Sequence, residues 1–418
     1  MLSARRRLTI LYHFFHPDDV VSARHFGDFA EELARRDWNV EVLTSNRYCR
    51  YPARAIEQLD ETWHGVRVHR SRRPAFDQSR DLQRLLNLGW MTAAWGRRVL
   101  RGRRNGLHVV GSDPQFSQVL FPIIKAASRH NRVIHWAYDL YPDAIVANAP
   151  FGKAAAAARA IRPVVKHLYR YADVLVDLGP CMRRRLATYG HRARTATMTP
   201  WALAEPGQLP PVDAQVRRAL FGDARLALLY SGNLGKAHEF EPFVELARRA
   251  RKLDAGIVFC FACRGNRADE LRAALRDDDA VRLAPFAREE QLVARLASAD
   301  LHLMSLRPEW SGIVVPSKFF GSLAVGRPVL YSGPADSSIS EWIDEHQVGF
   351  NARGLNLDKL AHRLAELASN PGEVQAMRRR AFTTYQRRFS KQAVMDRWDS
   401  LLSDELARLH GGAALGAP

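Results

Sequence analysis

The chain has 418 residues, 47% of them hydrophobic and 25% charged, the balance of an ordinary soluble globular protein long enough for a sizeable core and two domains, at most three. Its four cysteines, Cys49, Cys181, Cys260 and Cys263, are too few for a disulfide scaffold and suit a reducing compartment. The net charge of +18 is unevenly shared: residues 1–205 hold 33 Lys and Arg against 18 Asp and Glu, the remainder 29 against 26, so the first half is expected to face something anionic, whether nucleic acid, a membrane surface or a phosphorylated substrate.

The opening MLSARRRLTILYHFF runs into a strand pattern without cleavage-site features, and no apolar segment approaches the roughly 20 residues of a spanning helix, so the expectation is a cytoplasmic chain. Strand-like runs LTILYHFF (8–15) and NVEVLTS (39–45) flank HFGDFAEELARR (25–36), whose Phe26, Phe29, Ala30 and Leu33 recur at helical spacing. Further strands are predicted at GVRVHRS (65–71), LHVVGSD (107–113), RVIHWAYD (132–139) and ADVLVDLG (172–179), alternating with helical segments. Such alternation specifies a parallel sheet covered on both faces. The Pro-rich interval TPWALAEPGQLPPVDAQ (199–215) breaks the rhythm, and the alternation then restarts with RLALLYSG (225–232), GIVFCFACRG (256–265), VRLAPF (281–286), ADLHLMSL (299–306) and RPVLYSG (327–333). The fold class is therefore α/β, two doubly wound parallel-sheet (Rossmann-like) domains at 1–203 and 204–389, with a ligand cleft expected between the carboxyl ends of the two sheets. A last helical stretch, within 390–418, follows both domains and is expected to return toward the first; the tail GGAALGAP is expected to be disordered.

Two strand-to-helix junctions of the second domain carry unusual residues. In LLYSGNLGKAHEF (228–240), Gly232 and Gly235 sit in a turn whose N–H groups, with those of the following helix, can be offered to an anion, and Lys236 adds a full charge. A plain tight turn would account for the glycines equally well. In VPSKFFGSLAVGRPVLY (315–331), Lys318 falls in a first helical turn, where unpaired N–H groups and the dipole disfavour a cation. Two lysines at two such edges of one sheet suit a diphosphate, each charge-assisted bond contributing about 1.5–3 kcal/mol. Cys260 and Cys263 form a CxxC, but within a strand such a pair points to opposite faces, and no second pair completes a zinc site.

The series LLYSGNLGKAHEF, FACRGNRADEL and VVPSKFFGSLAVGRPVLY, in this order after an α/β domain and a Pro-rich linker, resembles the family 4 glycosyltransferases of GT-B fold. YHFFHPDDVVSARHFGDFAEELARRDWNVEVLT and HWAYDLYPDAI resemble acceptor-domain segments of the branch that builds bacterial surface polysaccharides, so the resemblance covers nearly the whole chain. It implies a hexosyltransferase-like enzyme that moves a sugar from a nucleotide-sugar donor to an acceptor, a lipid-linked or free saccharide, with retention at the anomeric carbon and neither metal nor cofactor. It puts Gly232, Asn233, Lys236, Ser317 and Lys318 at the donor diphosphate, Arg264 and Gly265 at the rim of the nucleotide pocket, and the main chain around Pro285 and Phe286 beside the base. Gly321 would let a ligand or neighbouring backbone approach. Asp139 would face the cleft, or else cap a helix; Ser22, Arg24 and His25 would meet acceptor or phosphate, or else cap the helix they begin. Lys236 and Lys318 would stabilise the leaving diphosphate electrostatically, and with Asp139 they are the catalytic candidates. Much of the family has two glutamates eight positions apart on the helix that contacts donor sugar and ribose; here those positions are Ile313 and Gly321, and Glu309 is the nearest substitute.

The segment LQRLLNLGWMTAAWGRRVLRGRRNG (82–106) holds Trp90 and Trp95, then Arg97, Arg98, Arg101, Arg103 and Arg104. It reads as a helix dipping into an anionic membrane surface, or as a buried helix with a charged exit. A lipid-linked acceptor would give docking a reason and put the chain at the inner face of the cell membrane. DDD (277–279) and the group His16, Asp18 and Asp19 read as a solvated turn and an ordinary loop rather than metal sites. Nucleic acid is disfavoured as a partner, because the arginine clusters lack a reading module and regular stacking aromatics. The remaining alternatives are a GT-B-type nucleotide-sugar epimerase and a non-catalytic lipid-docking protein.

Overall fold

The computed structural model of the chain describes residues 6–76, 80–102, 105–276, 278–352, 354 and 356–414. They divide into two compact units, one reaching Thr199 and resuming at Val394, the other Pro200–Ala393. The division falls inside the Pro-rich interval.

In the first unit the described residues form an eight-stranded sheet: β1 (Arg7–Leu11), β2 (Asn39–Ser45), β3 (Asp60–Trp63), β4 (Val66–Ser71), β5 (Leu107–Gly111), β6 (Arg132–Trp136), β7 (Val174–Asp177) and β8 (Arg194–Thr197), in the order β3-β4-β2-β1-β5-β6-β7-β8. All pairings are parallel except β3 with β4. The central strands β5 and β7 are buried along their whole length, which the near-continuous apolar runs required. The edge strands β3 and β8 were not read from the sequence: DETW and RTAT stay largely uncovered and carry no apolar run. The helix Val21–Arg35 buries Ala23, Phe26, Phe29, Ala30 and Leu33 against the sheet, starting four residues earlier than its apolar period suggests.

The closing helix Lys391–Ala414 begins at the end of the second unit, and from Val394 belongs to the first. Its Trp398 is fully buried, ring centroids 4.7 Å from Phe29 and 5.0 Å from Trp136. Its Glu405, also fully buried, accepts from Arg132 Nε at 2.8 Å and Arg194 Nη1 at 2.6 Å, the two partners a buried carboxylate needs. The helix runs on through Ala414, so the first four residues of GGAALGAP are helical, and residues 415–418 lie outside the described ones.

The second unit repeats the plan with β9 (Leu226–Asn233), β10 (Ile257–Arg264), β11 (Val281–Leu283), β12 (Leu301–Ser305), β13 (Val329–Ser332) and β14 (Gly349–Asn351), parallel throughout in the order β11-β10-β9-β12-β13-β14. Its sheet is covered on both faces. Cys263 packs in the cluster that includes Phe243, Leu364 and Leu367, Cys260 in the one that includes Leu220 and Phe221, so the CxxC is split across the sheet and both thiols are free.

Candidate active site

Each sheet reverses its winding once, between β1 and β5 in the first unit and between β9 and β12 in the second. At such a switch point the loops leaving the carboxyl ends of two neighbouring strands diverge, opening a crevice where α/β sheets take ligands.

In the second unit the loops after β9 and β12 are laced together. Arg307 N–H donates to the Ala237 carbonyl at 2.9 Å, Glu239 N–H to Ser305 Oγ at 3.0 Å, and His238 Nδ1 to the Ser305 carbonyl at 2.6 Å. The last bond fixes the tautomer: Nδ1 carries the proton and Nε2 is an acceptor. Burial, and then the neighbouring Lys318 charge, push His238 down to about 3, so it is neutral. Lys318 opens the helix Lys318–Ala324, but its side chain turns back to the β9 loop. The ammonium donates to the Asn233 carbonyl at 2.6 Å, to Tyr230 Oη at 2.8 Å and to His238 Nε2 at 3.3 Å, and lies 4.6 Å from the centre of the Tyr230 ring. All three acceptors are neutral, and burial lowers the Lys318 pKa to about 7. The apparent misfit of a cation in a first helical turn is thereby resolved, since the charge is carried away from the helix end. Gly232 makes room for it: at φ +130° its backbone suits glycine, and a Cβ there would sit 2.6 Å from Lys318 Cε.

The β10 loop locks onto the same turn. Leu234 N–H donates to the Arg264 carbonyl at 2.6 Å, and a Cβ at Gly265, whose φ is +122°, would lie 2.6 Å from both the Leu234 carbonyl and Asn233 Oδ1. Arg264 is exposed, its guanidinium 4.2 Å from the centre of the Phe286 ring, and Phe286 is itself 40% exposed. The pair forms an open platform with one cationic and one apolar tile. Asn233, Lys236 and Ser317 are exposed beside these loops; Lys236 makes no hydrogen bond among the described residues, and Ser317 begins its helix without a side-chain cap. Sequence reasoning missed Tyr230 and His238. Nothing local marks them, because His238 acquires its role from Ser305, 67 residues away.

In the first unit the switch point joins the loops after β1 and β5. His13 N–H donates to the Asp113 carbonyl at 3.1 Å, His13 Nδ1 donates to Asp113 Oδ1 at 2.8 Å, and Asn87 Nδ2 donates to His13 Nε2 at 3.1 Å. Burial pushes the His13 pKa down, so the ring is a neutral bridge holding the Asp113 carboxylate in place. Asp139 lies three residues past the end of β6, its N–H donating to Ser112 Oγ at 3.1 Å. It does not cap a helix, since Pro142 stands at the N-cap of Asp143–Asn148. A cavity of about 200 Å³ is lined by Asp113, Asp139, Arg84, Cys49, Tyr12 and Tyr141. Burial, and then the Asp113 charge, push the Asp139 carboxyl up to about 6. Ser22, Arg24 and His25 do not cap their helix, whose N-cap is Val20. Ser22 bonds the Tyr12 phenol, Arg24 is half-buried, and His25 is buried with its ring 6.0 Å from that of Tyr138. His13, Asn87 and Asp113 carried no signal in the sequence.

The glycosyl transferase 4-like domain matches residues 22–202, the span that builds β2 to β8. The protein of Pseudomonas aeruginosa named "Probable glycosyltransferase WbjE" is 26% identical over 255 residues, 60% of this chain and 63% of its own length. WcaI of Escherichia coli (strain K12), which carries the name of a colanic acid biosynthesis glycosyl transferase, is 24% identical over 343 residues, 78% of this chain and 83% of its own. The crystal structure of Anabaena HepE in complex with UDP superposes with a TM-score of 0.65 at 14% identity, covering 95% of this chain and 100% of that one. Residues 22–202 therefore carry a glycosyl transferase 4-like domain, and the chain has the GT-B fold of its solved neighbours.

The chain departs from the family it resembles where two carboxylates are usual. Ile313 is 1% exposed and part of the core, while a Cβ built on Gly321 would meet no atom within 4 Å beyond its chain neighbours and its own helix backbone. The protein's own packing therefore does not demand a glycine there. Glu309 is exposed on the short turn Pro308–Trp310 that follows β12.

The predicted membrane segment forms the helix Asp81–Gly102, which has one buried and one exposed face. Asn87, Met91, Trp95 and Val99 are buried, while Leu82, Leu85, Leu86 and Trp90, at 70%, 55%, 51% and 49% exposure, line the opposite face. Arg103, Arg104 and Asp277 lie outside the described residues. No described helix is long and apolar enough to cross a membrane.

Proposed function

We propose that the chain transfers a sugar from a nucleotide-sugar donor to a lipid-linked saccharide acceptor in surface-polysaccharide assembly, with retention and without a metal, while resting on the anionic inner face of the cell membrane through the helix Asp81–Gly102. The observation that carries the reading is the Lys318 ammonium held at the β9–β12 switch point by three neutral acceptors. A charge that burial disfavours there gains an anionic partner when a diphosphate arrives. The His238 contact is the longest of the three, so one N–H can turn to a phosphate oxygen while the other two keep the loop in place. Lys236 supplies a second, exposed charge, and the Arg264–Phe286 platform stacks on a base. As the glycosidic bond breaks, these charges stabilise the departing diphosphate, and the acceptor hydroxyl attacks from the same face, passing its proton to a phosphate oxygen. On the acceptor side, Asp113 and Asp139 bind saccharide hydroxyls. UDP, the ligand in the HepE complex, makes UDP-sugars the first donors to try.

Calorimetry with UDP-, GDP-, dTDP- and ADP-sugars tests the reading. One nucleotide class is expected to bind, and Lys318→Ala to weaken it at least tenfold; a wild-type chain that binds none of them sinks the proposal.

A further inference from the structure

The helix Asp81–Gly102 separates two large hollows of opposite character within the first unit. On one side, a cavity of about 980 Å³ lies between the helix and a face of the sheet, and Arg67, Arg72, Arg97, Arg98 and Arg101 line it against a single carboxylate, Glu41. That carboxylate is already satisfied, accepting from Arg98 Nη2 at 3.2 Å and lying 3.2 Å from His69 Nε2. The side chains of Arg72, Arg97 and Arg101 find no ion pair or hydrogen bond among the described residues. Trp90 closes part of the wall, its indole N–H donating to the Arg72 carbonyl at 2.7 Å. On the other side, a groove of about 970 Å³ is lined by Leu85, Leu88, Leu100, Val119 and Ile123. The hollows meet at Ala93, Arg97 and Arg101, which line both.

Uncompensated arginines joined to an apolar trough match an amphiphile with a compact anionic head and a hydrocarbon tail. We propose that these joined hollows form a binding site for one lipid molecule bearing a phosphate or diphosphate headgroup, the head among Arg72, Arg97 and Arg101 and the tail along Leu85, Leu88 and Ile123. The site deepens the membrane-docking reading and rests on it, turning a diffuse electrostatic contact into recognition of single lipids.

Calorimetry on the intact chain with monodisperse probes below their critical micelle concentration separates the two. Farnesyl diphosphate and dihexanoyl phosphatidic acid are compared with inorganic diphosphate, farnesol and dihexanoyl phosphatidylcholine. One-to-one binding of either phosphate lipid, at least tenfold tighter than all three controls, supports the site, and the tighter lipid names the tail. Arg97→Gln with Arg101→Gln, and separately Ala93→Asp, alter exposed residues, so folding should be kept while lipid binding falls at least tenfold. If phosphatidylglycerol vesicles bind and no monodisperse lipid does, the site is overturned and surface docking stands; if vesicles and lipids both fail, both readings fall.

Discussion

Lys318 shows how a single side chain can cost stability in the free protein and still be kept. Its pKa is lowered from 10.5 to about 7, so between those values the unfolded chain holds a proton that the folded one has released. By linkage, this group's contribution rises with pH across that window and is least favourable below pH 7. Lys318→Met, which keeps the stem without the charge, should raise stability at pH 6–7 by about 0.5–2 kcal/mol in thermal melts while nucleotide binding falls. A variant less stable than the wild type would show that the three hydrogen bonds outweigh the burial. A bound diphosphate should pull the Lys318 pKa upward, so donor binding at pH 8 is expected to take up protons and at pH 5.5 to take up few. Calorimetry in buffers of different ionisation enthalpy measures this directly. Asp139 behaves in the opposite sense: its folded pKa, about 6, lies above the ordinary 3.8, so between those values the folded chain binds the extra proton and stability falls as pH rises. Asp139→Asn should remove that fall, stabilising the protein at pH 7.5 but not at pH 4, and lower acceptor affinity.

At the scale of elements, the candidate donor site is made of three strand ends whose loops hold one another. β9 ends in Asn233 opposite Arg264 at the end of β10, and the β12 loop is tied to the β9 loop through Ser305 and Arg307. Gly265 is the tightest point, because a side chain would press on the Leu234 carbonyl, which cannot swing aside as a side-chain tip could. Gly265→Ala should therefore destabilise by about 1–3 kcal/mol, the cost of one strained backbone position, and loosen nucleotide binding along with the loop. Phe286→Ala removes only the apolar half of the platform and should weaken nucleotide binding about tenfold, near 1.4 kcal/mol, with no loss of melting temperature. A loss of melting temperature in that variant would place Phe286 in the core instead.

For the whole molecule, the excess of positive charge in residues 1–205 predicts vesicle binding that weakens with salt. Cosedimentation with phosphatidylglycerol vesicles should drop severalfold between 50 and 300 mM salt, and binding that ignores salt would assign docking to the apolar face alone. The α/β class and most of the central strands were legible in the sequence, and the PSK and G-x-x-G segments marked the strand ends proposed for the donor. These features are local, because burial on both faces writes itself into continuous apolar runs and turns demand their own residues. The edge strands β3 and β8 escaped because half-exposed strands need no such run. Which strand ends become neighbours depends on packing between distant elements. The strand orders put β1 beside β5 and β9 beside β12, and from that adjacency come the His13–Asp113 and His238–Ser305 bonds and the neutral Lys318 seat that depends on His238; the return of the closing helix buries Trp398 against Phe29 and Trp136. Hydrophobic period is a property of a few consecutive residues, whereas sheet order is settled by the packing of elements far apart in the chain, such as Leu8 beside Leu107 and Leu228 beside Leu301.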